Sequence, residues 1–215
     1  DRDDPFKVAF HPERLGQPSR WSKSRRIFVC SMGDLFHEDV EDEWLNRVFL
    51  EMAVSARHTY IVLTKRPERM RAFLLGKIPF VKDAGVVGPG LFPHVWLGVT
   101  AENQARADER IPVLLGTPAA VRFVSVEPML GPVDLARWKR PKQRFFNALG
   151  EACGNVVGEK PPQVDSDEIG LDWVICGGET GSNARPMHPD WARGLRDQCL
   201  SAGVPFFFKS WVHQC

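Results

Sequence analysis

The sequence predicts an α/β fold: a partial TIM-like barrel of about six parallel strands with helices around the outside. Three observations carry this. Six short runs of β-branched and aromatic residues recur near 27–30, 59–63, 95–99, 121–126, 173–176 and 205–208. Most are apolar throughout rather than alternating, as in parallel strands covered on both faces. Helical patterns fill four of the five links between them, the arrangement of repeated βα units. The competing architecture is an open doubly wound sheet, but no Gly-rich phosphate turn follows the first run. A full barrel has eight strands, and a further strand is expected upstream of Asp1.

Ile27-Phe28-Val29-Cys30 opens the series, and the polar turn Ser31-Met32-Gly33-Asp34 follows it. A helix is expected over 41–56, where Trp44, Leu45, Val48, Phe49, Met52 and Ala53 share one face of a 3.6-residue period. Asp39 is its expected N-cap, with Glu41, Asp42 and Glu43 favourable to the N-terminal dipole. The second run, Thr59 to Leu63, ends in Thr64-Lys65-Arg66. Pro67 suits the first turn of a helix over 67–75 and Gly76 its end. Residues 77–93, rich in Gly and Pro, read as a loop. The third run ends at Thr100, the expected N-cap of a helix over 101–115. The fourth ends in Glu127-Pro128 and the fifth in Gly177-Gly178-Glu179. Pro189 opens a last helix that ends near Gly203, and the sixth run ends in Lys209-Ser210-Trp211. The chain reads as one α/β domain over 1–215 with an irregular insertion at 135–170.

Composition limits the function classes. The chain has 215 residues, enough for one substantial domain, and 43% hydrophobic residues, which argues against disorder. Lys+Arg is 28 and Asp+Glu is 27, a net charge of +1. No global field attracts polyanions, so any such binding rests on a local patch. No apolar run approaches the ~20 residues of a membrane helix, and no membrane partner is expected. The five Cys (30, 153, 176, 199, 215) form no CxxC pair, which fits a reducing cytoplasm better than a disulfide framework. The six His show no HxH or HxxxH spacing, so no local metal motif is present. His188-Pro189-Asp190 reads as a helix start.

In parallel α/β folds ligands bind at the carboxyl ends of the strands, and nearly every strand here ends in reactive types. These are Ser31 and Asp34, Lys65 and Arg66, Thr100 and Glu102, Ser125 and Glu127, Glu179, and Lys209 with Trp211. Glu127 and Glu179 facing Lys65 and Lys209 would make a charged cup, able to hold a zwitterion or to move protons. The same residues could instead be structural ion pairs closing the barrel mouth. Gly177-Gly178-Glu179-Thr180-Gly181 reads either as a phosphate or ribose cradle or as a tight turn. Lys65-Arg66 at a helix start suits anions. A small-molecule ligand is expected. Arg137, Lys139, Arg140, Lys142 and Arg144, interleaved with Trp138, Phe145 and Phe146, form the local feature suited to nucleic acid. Cys30 and Cys176 both end strands, so they could approach each other; the plainer reading is small buried hydrophobes.

Several ordered motifs carry a family resemblance. They are His11 to Leu15, Arg26 to His37, Leu63 to Met70, Trp96 to Thr100, Ser125 to Pro128, Gly177 to Glu179 and Phe207 to Lys209. Together they resemble a phage- and prophage-associated family catalogued as a domain of unknown function. Its members look like relatives of the radical S-adenosylmethionine enzymes. The resemblance implies a partial barrel of parallel strands, S-adenosylmethionine and a [4Fe–4S] cluster, with a cluster-binding Cys segment upstream of the residues seen here. Residues 27–30 would then be the second barrel strand. Position 30 departs from the Asn common in the family. It further implies that Ser31 and Asp34 hold the amino acid end of the cofactor. Thr100, Glu102 and Ser125 would contact its ribose or sulfonium region. Lys65, Glu127, Glu179 and Lys209 would do the chemistry, and Arg66 and Trp211 would bind substrate. The Gly-Gly-Glu at 177–179 looks like the amino-binding motif of that family but falls several strands too late. Two other readings stay open: a non-redox module contacting nucleic acid, and a metal-independent hydrolase or lyase using the Glu/Lys cup.

Overall fold

The computed structural model describes residues 7–76, 92–136 and 170–211. Six strands form one sheet in the order β1-β2-β3-β4-β5-β6, and every neighbouring pair is parallel. They are β1 (Arg26–Val29), β2 (Thr59–Thr64), β3 (Val95–Thr100), β4 (Val121–Val126), β5 (Trp173–Gly177) and β6 (Phe206–Ser210). The helices are a short α1 (Pro12–Leu15), then α2 (Asp42–Val54), α3 (Pro67–Gly76), α4 (Gln104–Leu115) and α5 (Pro189–Ala202). The sheet is curled into a half-barrel with the helices around it, the partial TIM-like barrel read from the sequence.

Two cores follow from the two-residue alternation of each strand. The outer face meets the helices: Tyr60, Val62, Val95, Leu97, Val99, Val124, Val126, Val174 and Cys176 pack against Leu45, Phe49, Met70, Ile111 and Leu195. The inner face is smaller and more aromatic. Ile61, Phe123 and Ile175 form its centre, with Leu63, Trp96 and Trp173 against them. Phe123 is fully buried and its ring lies over Gly98, where an added Cβ would come within 2.4 Å of the ring. On the edge strands the same face is open: Phe28 is 44% and Phe207 51% exposed.

The chain ahead of β1 is pinned across the start of β2 by His58, which is 1% exposed. Its Nδ1 accepts the Arg25 N–H at 3.1 Å, so its Nε2 carries the proton and donates to the Pro18 carbonyl at 2.8 Å.

Two helix starts differ from the sequence reading. Asp39 does not cap α2; its N–H bonds to His37 Nδ1 inside a turn, and Glu41 stands at the N-cap position. Thr100 does not cap α4, because it is still held in β3 opposite Ser125. Asn103 caps it, its side chain accepting the Arg106 N–H. The other two starts and ends agree: Pro67 opens α3, and Gly203 closes α5 with a left-handed φ of 69°. The loop 77–93 lies outside the described residues except for its last two. The insertion 135–170, with its basic Arg137, Lys139, Arg140, Lys142 and Arg144, lies outside them except for 135, 136 and 170.

Candidate functional site

The parallel topology brings all six strand ends to one rim, and each end carries the polar residues expected there. Their pairing is set by neighbouring strands. Lys65, just past β2, places Nζ 2.8 Å from Glu102 Oε1, just past β3. Glu102 Oε2 takes Arg110 Nη1 at 3.0 Å from α4. Arg110 also donates to the Thr100 carbonyl at 2.9 Å and is only 8% exposed. Burial raises the Glu102 carboxyl, but the Lys65 hydrogen bond, the backbone bond and the Arg110 charge outweigh it and hold the group below its ordinary pKa. Across the rim, Lys209 Nζ from β6 lies 2.6 Å from Glu127 Oε1 past β4. Glu127 rests against Gly177, where a Cβ would stand 3.2 Å from Oε1, so the glycine leaves room for the carboxylate.

Two lysine–carboxylate pairs therefore stand at the rim, one with a different partner from that expected. Lys65 faces Glu102, not Glu127 or Glu179. Glu179 faces no lysine: Arg185 holds it with Nε at 2.8 Å and Nη2 at 2.7 Å, and the Arg185 N–H adds a bond at 2.8 Å. Those bonds lower its carboxyl to about 2, and it is a clamp for the loop after β5.

Asp34 has the same character. Its Oδ1 accepts the Phe36 N–H at 2.9 Å and the Thr64 hydroxyl at 2.7 Å. Its Oδ2 accepts the Lys65 N–H at 3.0 Å and Arg66 Nη1 at 3.1 Å. A carboxylate has about four acceptor positions, so Asp34 is saturated by its own chain, and Arg66 is spent on it. Asp34 and Arg66 tie the turn after β1 to the end of β2. Ser31 lies exposed in that turn, which the Gly33 N–H closes on the Cys30 carbonyl at 3.0 Å. Cys30 has φ 53°, the positive φ of a non-glycine among the described residues, and such outliers gather at functional sites. Trp211 packs its ring on Phe208 at 4.6 Å between centroids.

Between the two lysine–carboxylate pairs stand Thr100 and Ser125, partners in register across β3 and β4. They are 5% and 2% exposed. By alternation with Gly98 and Phe123 both point to the inner face. Neither hydroxyl hydrogen-bonds to a described residue, while the other rim polar groups are nearly all paired.

Arg110 and Arg185 are site residues the sequence reading missed. Arg110 had a signal: it falls in the apolar stripe Ala107, Arg110, Ile111, Leu114 of α4, and a charge in such a stripe requires a buried counterion. Arg185 had none beyond following Glu179 by six residues. Cys30 and Cys176 do not meet, since β1 and β5 are separated by three strands. Cys176 is buried, its S–H pointing at Met129 Sδ at 3.6 Å, and burial pushes its thiol up to about 12. Cys30 is exposed rather than buried. Among the described residues no helix is long and apolar enough to cross a membrane.

No curated protein and no solved structure matches the chain. A family match covers nearly its whole length: residues 3–215 match the family described as protein of unknown function (DUF5131), and the chain belongs to that family.

Proposed function

We propose that this chain is the barrel part of a cytoplasmic, phage-type enzyme related to the radical S-adenosylmethionine proteins, binding a small molecule at the carboxyl rim. The observation that carries the reading is the pair of buried residues Thr100 and Ser125, adjacent in register on the inner face and set between Lys65–Glu102 and Glu127–Lys209. The inner face below them supplies apolar and aromatic cover through Leu63, Phe123 and Ile175, as ligand pockets require. The three described free cysteines support the compartment.

The residues present fit S-adenosylmethionine in part. Thr100 and Ser125 offer hydroxyls for a ribose or for the ligand's polar groups. Asp34, already saturated, does not offer its carboxylate to an ammonium. A [4Fe–4S] cluster does not fit the described residues: they contain no group of three His, Cys, Asp or Glu able to hold a metal. Within the rim Lys65 and Lys209 supply cationic N–H donors. Each is more than half exposed and each is aimed by one carboxylate, Glu102 or Glu127. A lysine held this way can receive an anionic group, or pass a proton to its carboxylate. A metal-independent lyase or hydrolase would use that second property.

The test is a thermal-shift and calorimetric titration with S-adenosylmethionine. The intact chain should bind, and T100V/S125A should bind at least about tenfold more weakly, the scale of two neutral hydrogen bonds at about 0.5–1.5 kcal/mol each. Its melting without ligand should stay close to that of the intact chain. Equal binding by both proteins, or none by either, would refute the reading.

A further inference from the structure

The opposite end of the sheet carries a different chemistry. Lys65, Arg66, Arg69, Arg110, Arg185 and Lys209 each hold a carboxylate. Arg20, Lys23, Arg25, Arg26 and Arg57 hold none among the described residues, and all five are exposed. Backbone and side-chain bonds bring them to one place. The Thr59 N–H bonds to the Arg25 carbonyl at 2.9 Å, and the Ser24 hydroxyl donates to the Arg57 carbonyl at 2.7 Å. Arg57 Nη2 donates to the Ser19 carbonyl at 2.6 Å, and His58 fixes Arg25 and Pro18 from below. The nearest carboxylate in these contacts is Glu51, which accepts from Ser19 and Ser55. In a chain of net charge +1, five uncompensated cations at one strand start are a strong local field.

Aromatic faces are interleaved with the charges. Trp21 carries the Arg25 guanidinium 4.7 Å from its ring centroid. Phe28 stands two residues beyond Arg26 on the edge strand β1 and is 44% exposed. Alternation puts Arg26 and Phe28 on the same face, about 7 Å apart. Exposed cations close to an exposed ring are the combination that binds single-stranded nucleic acid, the charges on phosphates and the ring under a base.

We infer that the amino-terminal segment and the edge of β1 bind single-stranded nucleic acid, with Arg20, Lys23, Arg25, Arg26 and Arg57 on phosphates and Phe28 under a base. The site uses none of the rim residues Lys65, Glu102, Glu127 or Lys209 and none of the basic residues at 137–144.

The experiment is fluorescence anisotropy of the full chain with a labelled single-stranded oligonucleotide, a labelled duplex of the same sequence, and vesicles containing anionic lipid, at several salt concentrations. R20Q/K23Q/R26Q removes three charges whose side chains make no bond in the fold. It should raise Kd for the single strand at least tenfold and flatten the salt dependence by about 2, since each phosphate contact contributes about 0.7 to the slope. R106Q/R193Q/R196Q, with the same charge loss elsewhere, should leave Kd within twofold. F28A should weaken single-strand binding about tenfold while leaving the salt slope unchanged. Four results would overturn the inference: no binding at low salt; equal loss in the control variant; loss only when the five basic residues at 137–144 are neutralised; or binding to vesicles but not to the oligonucleotide.

Discussion

E102A should lower the stability of the protein by about 3–5 kcal/mol, the cost of leaving a buried charge without its partner. Arg110 is 8% exposed, and among the described residues its guanidinium meets only Glu102 and the Thr100 carbonyl. Without the carboxylate it keeps one neutral acceptor for a full charge. In a chain of this length each kcal/mol is worth about 2–4 °C, so the melting temperature should fall by about 6–20 °C. Lys65 contributes little to this, because it is half exposed and exposed pairs are worth about 0–1 kcal/mol. K65A should therefore melt close to the intact chain. E102L/R110M, which removes both charges, should recover most of the loss, because an apolar replacement for a buried pair is often neutral or better. Acid gives the sign independently. The Glu102 carboxyl is held below its ordinary value in the folded state. Its stabilising share is complete above the unfolded pKa near ~4.3 and is lost as pH falls through the folded value. The gap in melting temperature between the intact chain and E102Q should narrow as pH drops below about 4. A constant gap would assign the effect to packing.

G98A should be the most damaging small substitution in the sheet. The new methyl would sit 2.4–2.5 Å from three carbons of the Phe123 ring. That ring cannot retreat, being fully buried between Ile61, Ile175 and Trp173. Overpacking costs about 1–3 kcal/mol and occasionally more, or about 2–12 °C of melting temperature here. The mechanism predicts a specific coupling. F123L alone leaves a void and destabilises, yet G98A/F123L should be more stable than the sum of the single losses, by about 0.5–3 kcal/mol. Strict additivity in this cycle would show that Gly98 is required for some reason other than the ring above it.

The two variants mark what was legible in the sequence. Strand positions were, because Ile27-Phe28-Val29, Tyr60 to Leu63 and Trp173 to Cys176 are apolar on both faces, a pattern with few alternatives. Strand ends follow from strand positions in a parallel sheet, so the rim residues were legible too. Their partners were not. Whether Lys65 meets Glu102 or Glu127 depends on strand order and register, and Glu179 meets Arg185 because the loop after β5 turns back on itself. The saturation of Asp34 needs four donors from two segments far apart in sequence, two of them backbone N–H groups without a residue-type signature. The Phe123–Gly98 fit is likewise a register effect, since those residues are partners across β3 and β4. Thr100 shows the same limit at a boundary: a good N-cap type, it is claimed by the strand.

The central claim is that the carboxyl rim, between the two lysine–carboxylate pairs, is a ligand site. Its most direct test is a titration of the ¹⁵N-labelled chain with S-adenosylmethionine, following backbone amides by nuclear magnetic resonance. The account predicts saturable shifts at Lys65, Thr100, Ser125, Gly177 and Lys209, with Arg25, Arg26 and Thr59 at the far end of the sheet unmoved. Shifts confined to the far end, or an unchanged spectrum at millimolar ligand, would contradict it.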